Sequence, residues 1–352
     1  MAKSKKKKHL LRKAVIGTFA SIALVGAFIG YKYYQFIKAP NVHNVESTDP
    51  YFYIPTGSNF EDVLYLLKTK NLLLKENSFL WVAEKKNYIK NVKPGRYKLE
   101  PRMNNNELVN LLRSGAQTPV HVTFNNVKTI PDLAGKVSKY LEPDSTTMLR
   151  MLQNDSVVKH YGFSNETFIS MFIPNTYEFY WDTSPEGFIS RMASEFKSYW
   201  TPDRVAKAKA LGLTQSEVST LASIVQEETR KRDEMPKVAG LYLNRIKKGI
   251  KLQADPTVKF AVGDPNMKRI YLKHLKVDSP YNTYIVLGLP PGPIAMPEKQ
   301  ALDAVLNAEK HNYIFMCAKP DFSGYHNFAT TLSAHNKNRQ VYISFLKKQG
   351  IK

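Results

Sequence analysis

The first 31 residues constrain this chain more than any other stretch. "MAKSKKKKHLLRK" is a dense basic block, and the adjoining "AVIGTFASIALVGAFIGY" carries no charge from Ala14 to Tyr31. Eighteen residues at about 1.5 Å each reach roughly 27 Å, close to the hydrocarbon thickness of a bilayer. With Lys and Arg ahead of the apolar run, the positive-inside rule keeps the N-terminus cytoplasmic and exports the rest of the chain. A cleaved signal peptide is the competing reading, with "VGA" at 25–27 as its small-residue site. The bulky "YKYYQF" directly after the run suits a membrane interface and favours an uncleaved, single-pass inner-membrane anchor. Either way the body of the chain is extracytoplasmic. That removes nucleic acid from the anionic partners which a net charge of +21 would otherwise suggest.

Beyond the anchor the pattern is α+β. We read a cytoplasmic basic tail at 1–13, a transmembrane helix at 14–33 and a polar linker at 34–47. A small α+β domain at 48–118 and a larger mixed α+β domain at 119–352 come next. In the small domain "YFYIP" is extended, and "SNFEDVLYLLKTKNLL" opens with Ser58 and Glu61 in capping-box spacing. "NSFLWVAEKKN" gives a second helix and "KPGRYKLE" a turn into a strand; Asn104 and Glu107 cap a third helix that Gly115 ends. The larger domain opens with a strand, "PVHVTF", and a helix, "TIPDLAGKVSKYL". Helices are expected around 144–153, 185–199 and 297–309, with turns and extended chain over 251–296. A strand at "YIFMCA" and a helix from about 331 complete the chain.

A single cysteine, Cys317, excludes an intramolecular disulfide. Scattered histidines and the lack of any CxxC or phosphate-binding glycine loop argue for no metal and no cofactor.

The strongest helix pattern is "LTQSEVSTLASIVQEETRKRDE", with Thr214 and Glu217 as a capping box and "PKVAGLYLNRIKKG" as its partner. At about 100° per residue, Val218, Leu221, Ala222, Ile224 and Val225 define its buried face. Glu228 falls roughly 50° from the centre of that face and Glu227 roughly 150° away. Glu227 is therefore solvated, while Glu228 sits at the edge of the core. A carboxyl withdrawn from water keeps its proton toward neutrality, the state needed to protonate a leaving oxygen. The alternative is a helix-end Glu paired with Arg230, Arg232 or Arg245, which would lower its pKa. Two loops add polar and aromatic groups suited to a sugar: Gln253, Asp255 and Thr257 in "LQADPTV", and Tyr281, Asn282, Thr283 and Tyr284 in "YNTYIVLGLPPGPI".

At these residues the sequence resembles the YceG-like family of MltG-type endolytic murein transglycosylases. The matching runs are "FIPNTYEFY", "LASIVQEET", "VAGLYLNRIKKGIKLQADPTVKFAVG", "SPYNTYIVLGLPPGPIAMP" and "GYHNFATTLSAHN", in order across about 120–340. The small domain then resembles the family's LysM-like module, and the larger one its catalytic domain. The resemblance places the catalytic acid at Glu228, with Gln226 where many members carry another Glu. This chain departs from the family at "IS" (169–170) and at Asn175, so no charged role is carried over there.

The resemblance implies cleavage of the β-1,4 bond between N-acetylmuramic acid and N-acetylglucosamine within glycan strands, beside peptidoglycan synthases at the inner membrane. One Glu would act as acid and then as base toward the muramic acid 6-hydroxyl, closing a 1,6-anhydro ring. Such an intramolecular attack gains effective molarity and needs no positioned water. Asp255 is either a second carboxylate facing Glu228, which would favour hydrolysis, or a group that fixes its turn or binds substrate with Gln253. His326 either orients a sugar or the catalytic Glu, or is structural; His335 reads as structural. A non-catalytic glycan-binding or scaffold protein is the alternative function.

Overall fold

The N-terminal apolar run forms one continuous helix in the computed structural model, which describes residues 2–43, 45, 49–264, 267 and 269–351. Of the expected linker, Asn44, Glu46 and Ser47 lie outside the described residues; so do Thr48, Pro265, Asn266 and Lys268. Helix α1 spans Ala2–Ile37; its stretch His9–Ile37 is long and apolar enough to cross a membrane, and it is exposed up to Tyr34, where its end begins to pack on the first unit. It runs past both ends of the expected 14–33 segment because nothing in "YKYYQFI" breaks a helix.

The chain divides into two compact units, Met1–Val120 with Phe179–Asp182, and His121–Glu178 with Thr183–Lys352. In the first, β1 (Tyr51–Ile54), α2 (Phe60–Thr69), α3 (Glu76–Lys85), β2 (Gly95–Lys98) and α4 (Asn105–Ser114) come after α1. Strands β1 and β2 pair antiparallel, Phe52 opposite Tyr97, and both side chains are fully buried. Phe79, Val82, Leu108 and Leu112 complete that core from α3 and α4. A buried polar knot ties in the end of α1: the Asn105 side-chain amide donates to Phe36 O and to Ser78 Oγ, while its Oδ1 accepts from Asn41. The α2 cap is Asn59 with Asp62 rather than Ser58 with Glu61. Ser58 instead spends its amide on Pro55 O in the preceding turn, which moves the helix start one residue on.

The second unit is mostly helical. Strand β3 (Val120–Phe124) pairs with β4 (Asn175–Phe179), and between them lie α5 (Ile130–Val137), α6 (Ser145–Leu152), α7 (Asp155–His160) and a 3-10 turn at Phe168–Met171. Then come α8 (Pro185–Tyr199), α9 (Pro202–Ala210), α10 (Gln215–Glu228), α11 (Met235–Lys247), α12 (Asp255–Val262) and α13 (Lys299–Leu306). Strands β5 (Phe315–Ala318) and β6 (His326–Ala329) pair antiparallel before α14 (Leu332–Lys348).

Helix α10 is the spine of this unit, packing on α11, α12 and α13. Val218, Leu221, Ala222, Ile224 and Val225 are fully buried, the face read from the helical wheel. Each large aliphatic side chain so buried contributes about 1.5–3 kcal/mol. The segment 251–296 is not wholly extended, since α12 occupies Asp255–Val262 and a 3-10 turn His274–Lys276. Ala254 at the N-cap provides no capping side chain, so the usual sequence signal for α12 is missing.

Candidate active site

Glu228 is the last residue of α10, and Thr229 after it is extended (φ −139°, ψ 136°). The chain therefore leaves the core at Glu228, which is partly buried while Glu227 is exposed. Tyr242, one helix away on α11 and itself buried, donates its phenolic hydrogen to Glu228 Oε1 at 2.7 Å. Burial pushes the Glu228 carboxyl up to about 7. The Tyr242 bond opposes that rise, the Asp255 charge adds to it, and the Lys259 and Arg245 charges pull weakly the other way. Desolvation prevails, so this carboxyl still holds its proton near neutrality.

The ion pairs that would have reversed this are not made. Arg245 is buried and gives its hydrogens elsewhere: Nε to Ile314 O (2.6 Å), and Nη1 to Lys251 O, Leu252 O and Gln253 Oε1 (2.9, 3.0 and 3.2 Å). It fastens α11 to β5 and to the segment entering α12. Arg230 and Arg232 are exposed and, among the described residues, make no ion pair with Glu228. Gln226, two residues before Glu228, accepts from Glu298 N at 2.7 Å and so caps the start of α13.

Two clefts share Glu228. One, of about 640 Å³, runs past Lys128, Arg230, Arg232 and Glu298. The other, of about 480 Å³, is walled by Tyr242, Gln253, Asp255, Tyr284, His326 and one face of α14, with Leu332, His335 and Arg339. Asp255 is the first residue of α12, where the helix dipole favours a carboxylate, and Tyr284 donates to its Oδ1 at 2.7 Å. Gln253 takes a left-handed backbone (φ 50°) and donates its amide to Thr283 O at 3.1 Å, joining the two loops.

Of the seven residues expected to contact substrate, Gln253, Asp255, Tyr284 and His326 line the second cleft. Three do not reach it. Thr257 is fully buried, its hydroxyl on Ala254 O at 2.7 Å and against Thr283 Oγ1 at 2.8 Å. Asn282 is fully buried, donating to Leu275 O and Val277 O (3.1 and 2.8 Å) and accepting from Tyr284 N. Tyr281 packs on Phe260 with ring centroids 4.7 Å apart, against the core. These three shape the loops from beneath, because buried backbone groups there need partners.

Sequence reasoning missed Tyr242 and Glu234. Val238, Leu241, Tyr242 and Arg245 form one i, i+3, i+4, i+7 stripe, so a polar tip on an apolar face was the available signal for Tyr242. Glu234, 6% exposed, accepts from the His326 amide at 2.7 Å and from the Thr229 hydroxyl at 3.1 Å, and faces His326 Nδ1 at 2.8 Å. His335 stacks on Phe315 at 5.2 Å, and burial together with the Arg245 and Arg339 charges keeps its pKa below the usual range.

A family model described as the YceG-like family matches residues 52–341. The chain is 30% identical to the endolytic murein transglycosylase of Bacillus subtilis over 310 residues, 83% of this chain and 84% of that protein. It is 25% identical to the endolytic murein transglycosylase of Streptococcus pneumoniae D39, across 93% of this chain and 64% of that protein. A crystal structure of a yceG-like protein from Listeria monocytogenes superimposes with a TM-score of 0.54 at 28% identity, covering 82% of this chain and 98% of that one. On the span of the family match and the similarity to the Bacillus protein, the chain belongs to the YceG-like family.

Proposed function

We propose that the protein is a membrane-anchored lytic transglycosylase that cleaves peptidoglycan glycan strands internally, with Glu228 as its acid and then its base. The observation that carries the reading is a half-buried carboxyl, held protonated to about pH 7, on a wall shared by two clefts. A strand lying across Glu228 has room on both sides of the bond to be cut, as an endolytic enzyme requires. Glu228 gives its proton to the oxygen linking N-acetylmuramic acid to N-acetylglucosamine. The carboxylate left behind recovers a proton from the muramic acid 6-hydroxyl, whose oxygen closes the 1,6-anhydro ring. Gln253, Asp255, Tyr284 and His326 offer hydrogen bonds to the sugars from the wall of the second cleft. Asp255 keeps Tyr284 in place and contributes charge that discourages ionisation of Glu228.

The rest of the chain fits the same role. Helix α1 crosses the inner membrane with the basic tail inside, which leaves the catalytic body at 119–352 in the periplasmic space beside the wall synthases. The unit at 48–118 serves as a LysM-like module that holds glycan near the membrane.

The test incubates the protein and its Glu228→Gln variant with purified peptidoglycan and weighs the soluble products by mass spectrometry. Products one water lighter than reducing-end fragments, absent with the variant, are expected. Reducing-end products would make the protein a hydrolase and turn attention to Asp255. Binding without products from either protein would leave a glycan-binding or scaffold role.

A further inference from the structure

Glu234 occupies the N-cap position of α11, six residues beyond Glu228, and its side chain is almost wholly removed from water. A carboxylate buried there is costly unless every acceptor is used. Both oxygens are engaged: Oε1 takes the His326 amide, and Oε2 takes the Thr229 hydroxyl and lies 2.8 Å from His326 Nδ1. In a neutral imidazole, a carboxylate at Nδ1 favours the tautomer with its proton on that nitrogen and a lone pair on Nε2. Among the described residues Nε2 has no partner, and His326 lines the cleft that Glu228 also lines. Because Thr229 is the residue after Glu228, one buried carboxylate fixes both the end of α10 and the imidazole.

We infer that His326 is a second catalytic residue, a proton relay between the muramic acid 6-hydroxyl and Glu228, with Glu234 as its positioning residue. This rests on reading Glu228 as the acid of a transglycosylase. The Glu228 proton passes to the glycosidic oxygen as the bond from that oxygen to the muramic anomeric carbon breaks. The 6-hydroxyl oxygen bonds to the same carbon and its proton passes to Nε2. The imidazolium, facing the Glu234 carboxylate, then returns a proton to the Glu228 carboxylate through solvent in the cleft that both residues line. One proton has left Glu228 and one has come back, no water is consumed, and the site is ready for another strand.

The test uses full-length protein in detergent with purified peptidoglycan, counting anhydro-muramic ends. For His326→Ala, kcat is expected to fall by about a hundredfold or more with KM within about twofold, the scale of a lost acid–base group. Imidazole added to the buffer should lift that variant about tenfold while leaving Glu228→Gln inactive. His326→Gln fills the same space but carries no proton, so it should fall as far and gain nothing from imidazole. Glu234→Gln should lower kcat more than it changes KM. A kcat within about threefold of the parent in His326→Gln overturns the relay. So does a folded His326→Ala whose loss imidazole leaves untouched. Reducing-end products from the parent itself would instead retire the transglycosylase reading; anhydro ends that ignore His326 retire the relay alone.

Discussion

The acid role proposed for Glu228 has a consequence for stability that can be measured without any substrate. An unfolded chain ionises this carboxyl near 4.5, while the folded protein holds its proton to about 7, chiefly through burial. Below pH 4.5 both states are protonated and the site is neutral toward folding. Between those values the folded state binds the extra proton, so stability falls as pH rises. Above about 7 the fold must keep a carboxylate that it disfavours. At about 1.36 kcal/mol per pH unit the gap corresponds to about 3 kcal/mol. Glu228→Gln cannot ionise, yet its amide oxygen still accepts from Tyr242. The variant should therefore match the parent near pH 4.5 and exceed it by up to about 3 kcal/mol at pH 8, or about 6 °C in Tm. Calorimetry of both proteins in detergent across that range reads the difference directly. A variant less stable than the parent at pH 8, or a gap that ignores pH, would show that the folded site compensates the carboxylate. Glu228 would then be ionised at neutrality and unable to serve as the proton donor.

Other perturbations test neighbouring parts of the site and the fold. Tyr242→Phe removes the hydrogen bond that favours the ionised form of Glu228, so the alkaline limb of kcat/KM should move up by about one pH unit; an unmoved or lowered limb contradicts the assignment. Arg245→Ala strips hydrogen bonds from three backbone carbonyls and Gln253, and should cost about 3–5 kcal/mol in urea unfolding while lowering cleavage through the loosened 251–253 segment. Gly292→Ala would set a Cβ against the Glu166 backbone carbonyl, and should destabilise by about 1–3 kcal/mol in the same assay. The full-length protein should stay with membranes through an alkaline wash, whereas a version without residues 2–37 should be released; retention of the shortened version would remove the anchor role from α1.

Local physics decides which features could be read from the sequence. The Asn104–Glu107 and Thr214–Glu217 boxes form where their spacing placed them, and Gly115 ends α4 in the left-handed conformation (φ 73°) that its lack of a Cβ permits. The wheel that separated Glu228 from Glu227 needed only 3.6-residue periodicity. Missed were α7, which is only six residues long, α9, although Thr201 caps it and Pro202 opens it, and β4 and β6, which exist only through their partners. The pairings around the site depend on tertiary contacts that periodicity does not encode. Tyr242 meets it across two helices, and Glu234 meets His326 across 92 residues of chain.

The loops carry a different ambiguity, and it limits any assignment of sugar-binding residues from composition. A loop that enters a folded unit must satisfy its own backbone, and Asn, Thr and Tyr are as suited to that as to hydroxyl recognition. Asn282 and Thr257 do the first task, bonded to carbonyls beneath the surface; Gln253 and Tyr284, from the same two loops, reach the cleft. Nothing in their types distinguishes them, and the left-handed turn at Gln253 is invisible in the sequence. The two sets are interdependent, because Asn282 Oδ1 fixes the Tyr284 amide and Thr283 O fixes that of Gln253. Asn282→Ala should therefore weaken cleavage by displacing Tyr284, and should also lower Tm. Tyr284→Phe should weaken cleavage by freeing Asp255, with little change in Tm. If Asn282→Ala lowered activity with Tm unchanged, Asn282 would be a contact residue after all, and the loop would have to open to present it.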